Sequence, residues 1–170
     1  MHQKTTIKIR KSNIFVALFV LISLVACDSK RVYDSYVSMS DKSWQVDKKI
    51  VFDFTISDTI SKRNLFINIR NNKNYEFSNL FLITKLTFPT GEKVIDTLEY
   101  EMTDNLGEFL GKGFSDIKEN KLFYKENKQF PVSGKYIFSI SQAMRKNGES
   151  DGVTVLDGVT DVGFRIEKIN

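Results

Sequence analysis

From residue 44 onward, apolar and polar residues alternate with a period of two. Ile50, Phe52, Phe54 and Ile56 share one parity, and Val51, Asp53 and Thr55 the other. That is the pattern of a strand with one face on a core. Leu65, Ile67 and Ile69, set against Phe66, Asn68 and Arg70, predict a second strand. Leu80, Leu82, Leu86 and Phe88 predict a third, whose other face is also apolar at its start through Phe81 and Ile83. Pro89-Thr90-Gly91 follows, with proline presetting one turn dihedral and glycine permitting a positive one. Alternation resumes from Val94 to Met102, so 80–88 and 93–102 predict a hairpin. Leu122 to Tyr124 reads as a short strand between turns at 104–107 and 131–134. Tyr136, Phe138, Ile140 and Met144 give another, Lys146 to Gly152 a polar loop, and Val162, Phe164 and Ile166 a closing strand. No segment sustains a helical period over three turns. Seven or eight strands with regularly spaced turns predict an all-β fold, a single antiparallel β-sandwich of Ig-like or jelly-roll type.

The chain before residue 44 follows other rules. Lys4, Lys8, Arg10 and Lys11 precede a run from Ile14 to Ala26 whose only polar member is Ser23. Those 13 residues are too few to span a bilayer, which takes about 20. A basic region, a short apolar core and small residues before a cut site form a secretory signal. Its end, Leu24-Val25-Ala26-Cys27, looks like a bacterial lipobox. In proteins with that pattern the thiol is thioether-linked to diacylglycerol, the chain is cut before the cysteine, and the new amine is acylated. The expected organisation is a lipoprotein signal peptide at 1–26, a polar lipidated tether at 27–43 and the sandwich domain at 44–170.

Cleavage at that point changes what the composition implies. The whole chain holds 25 Lys and Arg against 21 Asp and Glu, but four of the bases and none of the acids precede Cys27. The remainder is formally neutral, so the pI near 9.0 belongs to the signal. Nucleic-acid binding draws on a clustered basic surplus, and none is expected here. The only histidine, His2, is lost with the signal, and the only cysteine is Cys27. Ser-His-Asp and Cys-His catalysis need an imidazole, and zinc sites draw on Cys and His. No catalytic residue, metal or cofactor is therefore expected, and intrachain disulfides are excluded. The 144 residues that remain suffice for one packed core.

Several clusters invite a chemical reading. Asp151, Asp157 and Asp161, with Gly152 and Gly158, would offer calcium ligands, but their spacing departs from an EF-hand, and turn chemistry accounts for the Asp-Gly pairs. Glu99 and Glu101 would stand about 7 Å apart on one strand face, within the range of an inverting glycosidase. A solvated strand face is the simpler account, as it is for Asp116, Glu119 and Glu126. Trp44, Tyr75, Phe77, Phe109, Phe114, Phe123 and Tyr124 would stack on sugars if they lined an exposed sheet face. Asn64, Asn68, Asn71, Asn72, Asn74 and Asn79 read as loop architecture. Gly111-Lys112-Gly113 lacks the spacing of a phosphate-binding loop. Arg145, in the segment 142–148, and Arg70 are the candidate partner contacts.

Taken in order, the stretches Cys27-Asp28-Ser29, Arg31-Val32-Tyr33-Asp34, 64–71, 78–83, 96–102, 111–117, 142–145 and 161–168 resemble the GldH gliding-motility lipoproteins of the Bacteroidota. The likeness runs from the lipobox nearly to the C-terminus and rests on order and coverage, not on any chemical motif. It implies a non-enzymatic cell-envelope lipoprotein required for gliding over surfaces and linked to the type 9 secretion machinery. Lipid attachment at Cys27 is the one functional residue it carries over. Asp28 after the cysteine would favour inner-membrane retention in enterobacteria, a rule not thought to govern this phylum. The expected location is thus the outer membrane, facing the periplasm, with the membrane and other gliding or secretion envelope proteins as partners. No small-molecule ligand is specified. The competing expectation is a carbohydrate-binding envelope module.

Overall fold

The computed structural model describes residues 28–113 and 115–169. The expected signal peptide at 1–26 and Cys27 lie outside the described residues. In chain order the strands are β1 (Arg31–Ser38), β2 (Ser43–Gln45), β3 (Ile50–Ile56), β4 (Arg63–Asn71), β5 (Asn79–Thr87), β6 (Lys93–Glu101), β7 (Lys118–Lys128), β8 (Gly134–Gln142), β9 (Val155–Asp157) and β10 (Val159–Lys168).

Their pairing is nested. β5 pairs with β6, β4 with β7, β3 with β8, β2 with β9 and β1 with β10, all antiparallel. The chain is one long hairpin centred on the turn at 88–92. There Gly91, at φ 87°, donates its amide to the Phe88 carbonyl at 2.9 Å. Folding that hairpin over itself distributes its strands into two four-stranded sheets, β1-β10-β4-β7 and β3-β8-β5-β6, with β2–β9 as a short separate ribbon. This is the strand order of a jelly roll, the second of the two sandwich types expected.

Alternation decides which residues enter the core. β3 buries Ile50, Phe52, Phe54 and Ile56 and exposes Val51, Asp53 and Thr55. Opposite it, β10 turns Val162, Phe164 and Ile166 inward, and β4 does the same with Leu65, Ile67 and Ile69. Phe164 joins the sheets, its ring 4.2 Å from that of Phe138 and 5.5 Å from that of Phe54. Burying each such side chain contributes about 1.5–3 kcal/mol. At one edge of the sandwich, Asp96 on β6 accepts hydrogen bonds from Tyr124 Oη at 2.8 Å and Lys125 Nζ at 3.1 Å on β7. Tyr100 adds a bond from its hydroxyl to the Phe123 carbonyl at 2.7 Å, and burial pushes that hydroxyl's pKa up to about 12.

Two expectations are corrected. The segment 27–43 is not a tether throughout, because β1 occupies Arg31–Ser38 and pairs along its length with β10. The sandwich therefore begins well before residue 44. Its inward residues are Tyr33, Ser35 and Val37, so a single aliphatic side chain marks the core face and the period is hard to see. The short strand at 122–124 is the middle of the eleven-residue β7. Asn120 is one of its inward residues, and irregular register beside Leu65 and Phe66 disturbs its parity.

The two ends of the sandwich differ in what they gather. Asp28 and Ile169 lie at one end, where the Lys168 amide donates to the Lys30 carbonyl at 2.8 Å. The connections 57–62, 88–92 and 129–133 share that end by strand register. The β2–β9 ribbon and the connections 72–78, 102–113 and 115–117 lie at the other.

Candidate functional site

The outward face of the β1-β10-β4-β7 sheet concentrates the polar and aromatic chemistry of the molecule. Strand register sets out three rows across it: Ser38, Asp161, Arg70 and Glu119; Tyr36, Gly163, Asn68 and Lys121; Asp34, Arg165, Phe66 and Phe123. Long charged side chains on neighbouring strands can reach one another at this spacing, and here they do.

Arg165 is the centre of the third row. Its guanidinium donates from Nε to Glu167 Oε1 at 2.6 Å, from Nη1 to Asp34 Oδ2 at 2.6 Å, and from Nη2 to Asp28. Lys121 Nζ reaches the same Glu167 oxygen at 2.8 Å and stands 4.1 Å from the centre of the Phe66 ring. In the middle row, Gly163 leaves space for Tyr36 to lie across the strand, since a Cβ there would come within 2.7 Å of the tyrosine ring. Asn68 Nδ2 donates to Tyr36 Oη at 2.8 Å, and Tyr36 donates to Glu119 Oε1 at 2.6 Å. Arg70 completes the group, its guanidinium carbon 4.4 Å above the Tyr36 ring and its nitrogens 3.4 Å from Glu119 Oε2. Tyr36, Asn68, Lys112, Glu119, Lys121 and Arg165 enclose a shallow concavity of about 270 Å³. Asp34 Oδ1 and Asn68 Oδ1 are buried acceptors without a donor among the described residues.

These contacts fix protonation states. Burial alone would raise the Glu167 pKa, but the hydrogen bonds from Lys121 and Arg165 outweigh it and hold the carboxyl below the ordinary 4.5. Asp28 is likewise lowered, chiefly by its bond from Arg165. Burial opposes charge on Arg165, yet its three carboxylate partners hold the guanidinium protonated. Tyr36 moves the other way, raised first by burial and then by its bond to Glu119. The carboxylates with resolved shifts thus stay ionised near neutral pH and the tyrosine stays protonated. A general acid or base needs a pKa near the working pH, whereas these groups provide fixed charge, suited to recognition.

The candidate residues fall as follows. Arg70 belongs to this lattice. Arg145 is exposed in the loop after β8, where it bridges to Gly152, so the two candidate contacts occupy different surfaces. Among the described residues no three of His, Cys, Asp and Glu form a metal-holding group, and Asp151, Asp157 and Asp161 do not converge on one. Asp161 instead accepts from the Ser38 and Thr160 hydroxyls at 2.6 and 2.8 Å. Glu99 and Glu101 are exposed on the edge strand β6, beside a concavity of about 460 Å³, with Glu99 accepting from Asn79 Nδ2 at 2.8 Å. Trp44, Tyr75 and Tyr124 are buried, and Phe77 and Phe109 pack against the core. Phe114 lies outside the described residues, and Phe123 stands out from the surface at 51% exposure. The described aromatics thus form no stacking strip.

Sequence reasoning missed most of the lattice. Tyr36 and Asp34 fall in the segment expected as a tether, and Asn68, on the polar parity of its predicted strand and grouped with the loop asparagines, is in fact 2% exposed within β4. One signal was available. Arg165 and Glu167 occupy the polar parity of a segment whose apolar parity, Val162, Phe164 and Ile166, marks the core.

Comparison with known proteins adds to this geometry. A family model described as GldH lipoprotein matches residues 31–166. A protein of Christiangramia forsetii named gliding motility lipoprotein GldH homolog is 54% identical over 156 residues, covering 92% of this chain and 95% of its own. The gliding motility lipoprotein GldH of Flavobacterium johnsoniae is 47% identical over 159 residues, covering 94% and 98%. Among solved structures, the VP2 subviral particle of infectious bursal disease virus matches 83% of this chain and 33% of its own, at 15% identity and a TM-score of 0.40. So low a score carries no argument.

Proposed function

The chain belongs to the GldH gliding-motility lipoprotein family, and on that premise we propose that it is a non-enzymatic, lipid-anchored structural component of the gliding and type 9 secretion apparatus. It is held in the cell envelope through acylated Cys27, at the outer membrane and facing the periplasm. The observation that supports a structural role is the lattice on the β1-β10-β4-β7 face. Its groups are locked into ion pairs and hydrogen bonds, with the Glu167 carboxyl held below its ordinary pKa and the Tyr36 hydroxyl raised above its own, so it offers a partner a rigid pattern of charge. Preformed surfaces of that kind cost little ordering on association. Arg70 within the lattice and Arg145 in the loop after β8 are the contacts offered to neighbouring envelope proteins.

Affinity purification of the tagged protein from native membranes, with mass spectrometry of what accompanies it, tests this reading. Gliding and type 9 secretion proteins should be recovered, and Arg70→Glu or Arg145→Glu should deplete them while the protein's own level is unchanged. Recovery of the protein alone would overturn the structural role. Cys27→Ala should abolish gliding, and normal gliding at full protein level would remove the anchor from the account.

A further inference from the structure

The end of the sandwich where the chain enters is built differently from the far end, and the difference bears on how the domain sits on a bilayer. Asp28 is held by Arg165, the Arg31 amide donates to the Asp28 carbonyl at 3.2 Å, and Lys168 closes onto Lys30. Asp28, the residue after Cys27, is thus itself tied to the fold. An extended residue spans only about 3.3–3.6 Å, so a lipid on Cys27 would bring this end of the fold directly against the headgroups, with no slack for the domain to drift away.

The residues gathered there suit such a surface. Lys30, Arg31, Lys62, Lys93, Lys128 and Lys168 all lie at this end, and none forms an ion pair among the described residues. Asp58 pairs with Arg63 and Asp28 shares Arg165 with Asp34 and Glu167, while Glu92 and Glu126 are exposed acids, so the unpaired cations outnumber the acids at this end. The far end is mixed, with Asp41, Asp47 and Glu149 beside Lys42, Lys48 and Lys146. The chain is neutral after residue 26, so the unpaired cations gathered at the entry end are a local excess.

Between the lysines stands Ile60, 83% exposed. It is held out by a formed turn, in which Asp58 Oδ1 accepts from the Ile60 amide at 2.9 Å and the Ser61 amide at 3.0 Å. Ile169 and Val32, both partly exposed, flank the same end. Apolar residues ringed by basic ones are the composition of an interfacial membrane contact.

We propose that this end is a membrane-docking face, with Ile60 entering the headgroup region and Lys30, Arg31, Lys62 and Lys168 meeting an anionic phospholipid surface. It rests on the acylation of Cys27. The docked domain stands upright, its β2–β9 ribbon and the Arg145 loop directed away from the bilayer.

The test uses the mature acylated protein reconstituted into vesicles of phosphatidylcholine with about one-third phosphatidylglycerol, and into phosphatidylcholine alone, since anionic headgroups supply the electrostatic part of such binding. Spin labels are attached at Ile60→Cys and, at the far end, Leu106→Cys, the latter position being 88% exposed. The Cys27 sulfur is occupied by lipid and does not react. The label at 60 should be several-fold more accessible to oxygen than to a water-soluble nickel chelate, and the label at 106 the reverse. Combining Lys30→Glu with Lys62→Glu should lower that ratio at 60 in the anionic vesicles. Equal water access at 60 and 106 in protein that floats with the vesicles would overturn the docking face alone. Protein that neither floats nor carries acyl mass on Cys27 would overturn the anchor and this inference with it.

Discussion

On the outward face of the β1-β10-β4-β7 sheet, Arg165 touches three carboxylates and Tyr36 lies across Gly163 beneath Arg70. On the outward face of the β3-β8-β5-β6 sheet, Val51, Ile83, Ile95 and Ile137 stand 40–65% exposed, and the ion pair there joins Lys135 to Asp53 with both partners largely in water. Both faces arise from the same alternation and both back onto the same core. The difference lies in reach. Arginine, lysine, glutamate and tyrosine span the gap between strands and interlock, so each restrains the next, whereas aliphatic residues separated by Lys85, Thr87 and Thr97 touch little. Exposed β-branched side chains on the second sheet serve strand propensity, and singly exposed ones need no further explanation.

The contrast can be broken most sharply at Arg165. Arg165→Met leaves Asp34 partly buried without its cation and Glu167 with Lys121 alone, and should cost about 3 kcal/mol, the low end for breaking a buried pair because the rim of the network is open to water. Urea denaturation of the purified protein reads this directly. Gly163→Val drives a side chain into the Tyr36 ring and should cost about 1–3 kcal/mol, as overpacking does, with a matching loss of near-ultraviolet circular dichroism from the displaced tyrosine.

Acid sharpens the same point. The Glu167 pKa is lowered in the fold, so the stability it contributes is fully present above the ordinary 4.5 and is lost as pH falls from there through its folded value. Glu167→Gln should flatten that part of the pH–stability curve. An unchanged slope would detach Glu167 from the network. Tyr36→Phe removes one hydroxyl that both accepts and donates, and should cost about 1 kcal/mol. On the opposite sheet, Ile95→Ser should stay within about 0.5 kcal/mol of the parent in the same assay. If it cost as much as Arg165→Met, the distinction between the faces would be wrong.

Much of the fold was legible because apolar parity is a strong signal where it is clean. Ile50 to Ile56 and the hairpin around Pro89-Thr90-Gly91 are read directly from the chain and recur as β3, β5 and β6. β1 was illegible because Tyr33 and Val37 are the only sizeable apolar residues on its inward parity, and it is held as much by Arg165 and Lys168 as by its own pattern. The lattice was illegible for a different reason. Asp28, Asp34, Arg70, Glu119 and Arg165 are ordinary surface charges in sequence, and only the register of four strands drawn from both ends of the chain makes them neighbours. The stretches that resemble the family at 31–34, 64–71 and 161–168 become adjacent strands of that one sheet, which order along the chain alone does not reveal.

The nested pairing carries a consequence for timing. A chain is synthesised and exported from its N-terminus, so β5 and β6 can meet as soon as both emerge. β10, the last strand, belongs between β1 and β4, in the interior of its sheet. Until residue 168 is free, that sheet has a gap one strand wide, and β1 has no partner to hold it. Long-range closures of this kind are slow, and an unfilled sheet exposes strand edges to wrong partners. The fold therefore completes only after the whole chain has been delivered, and removing its last dozen residues would forfeit the sheet's interior strand rather than trim a margin.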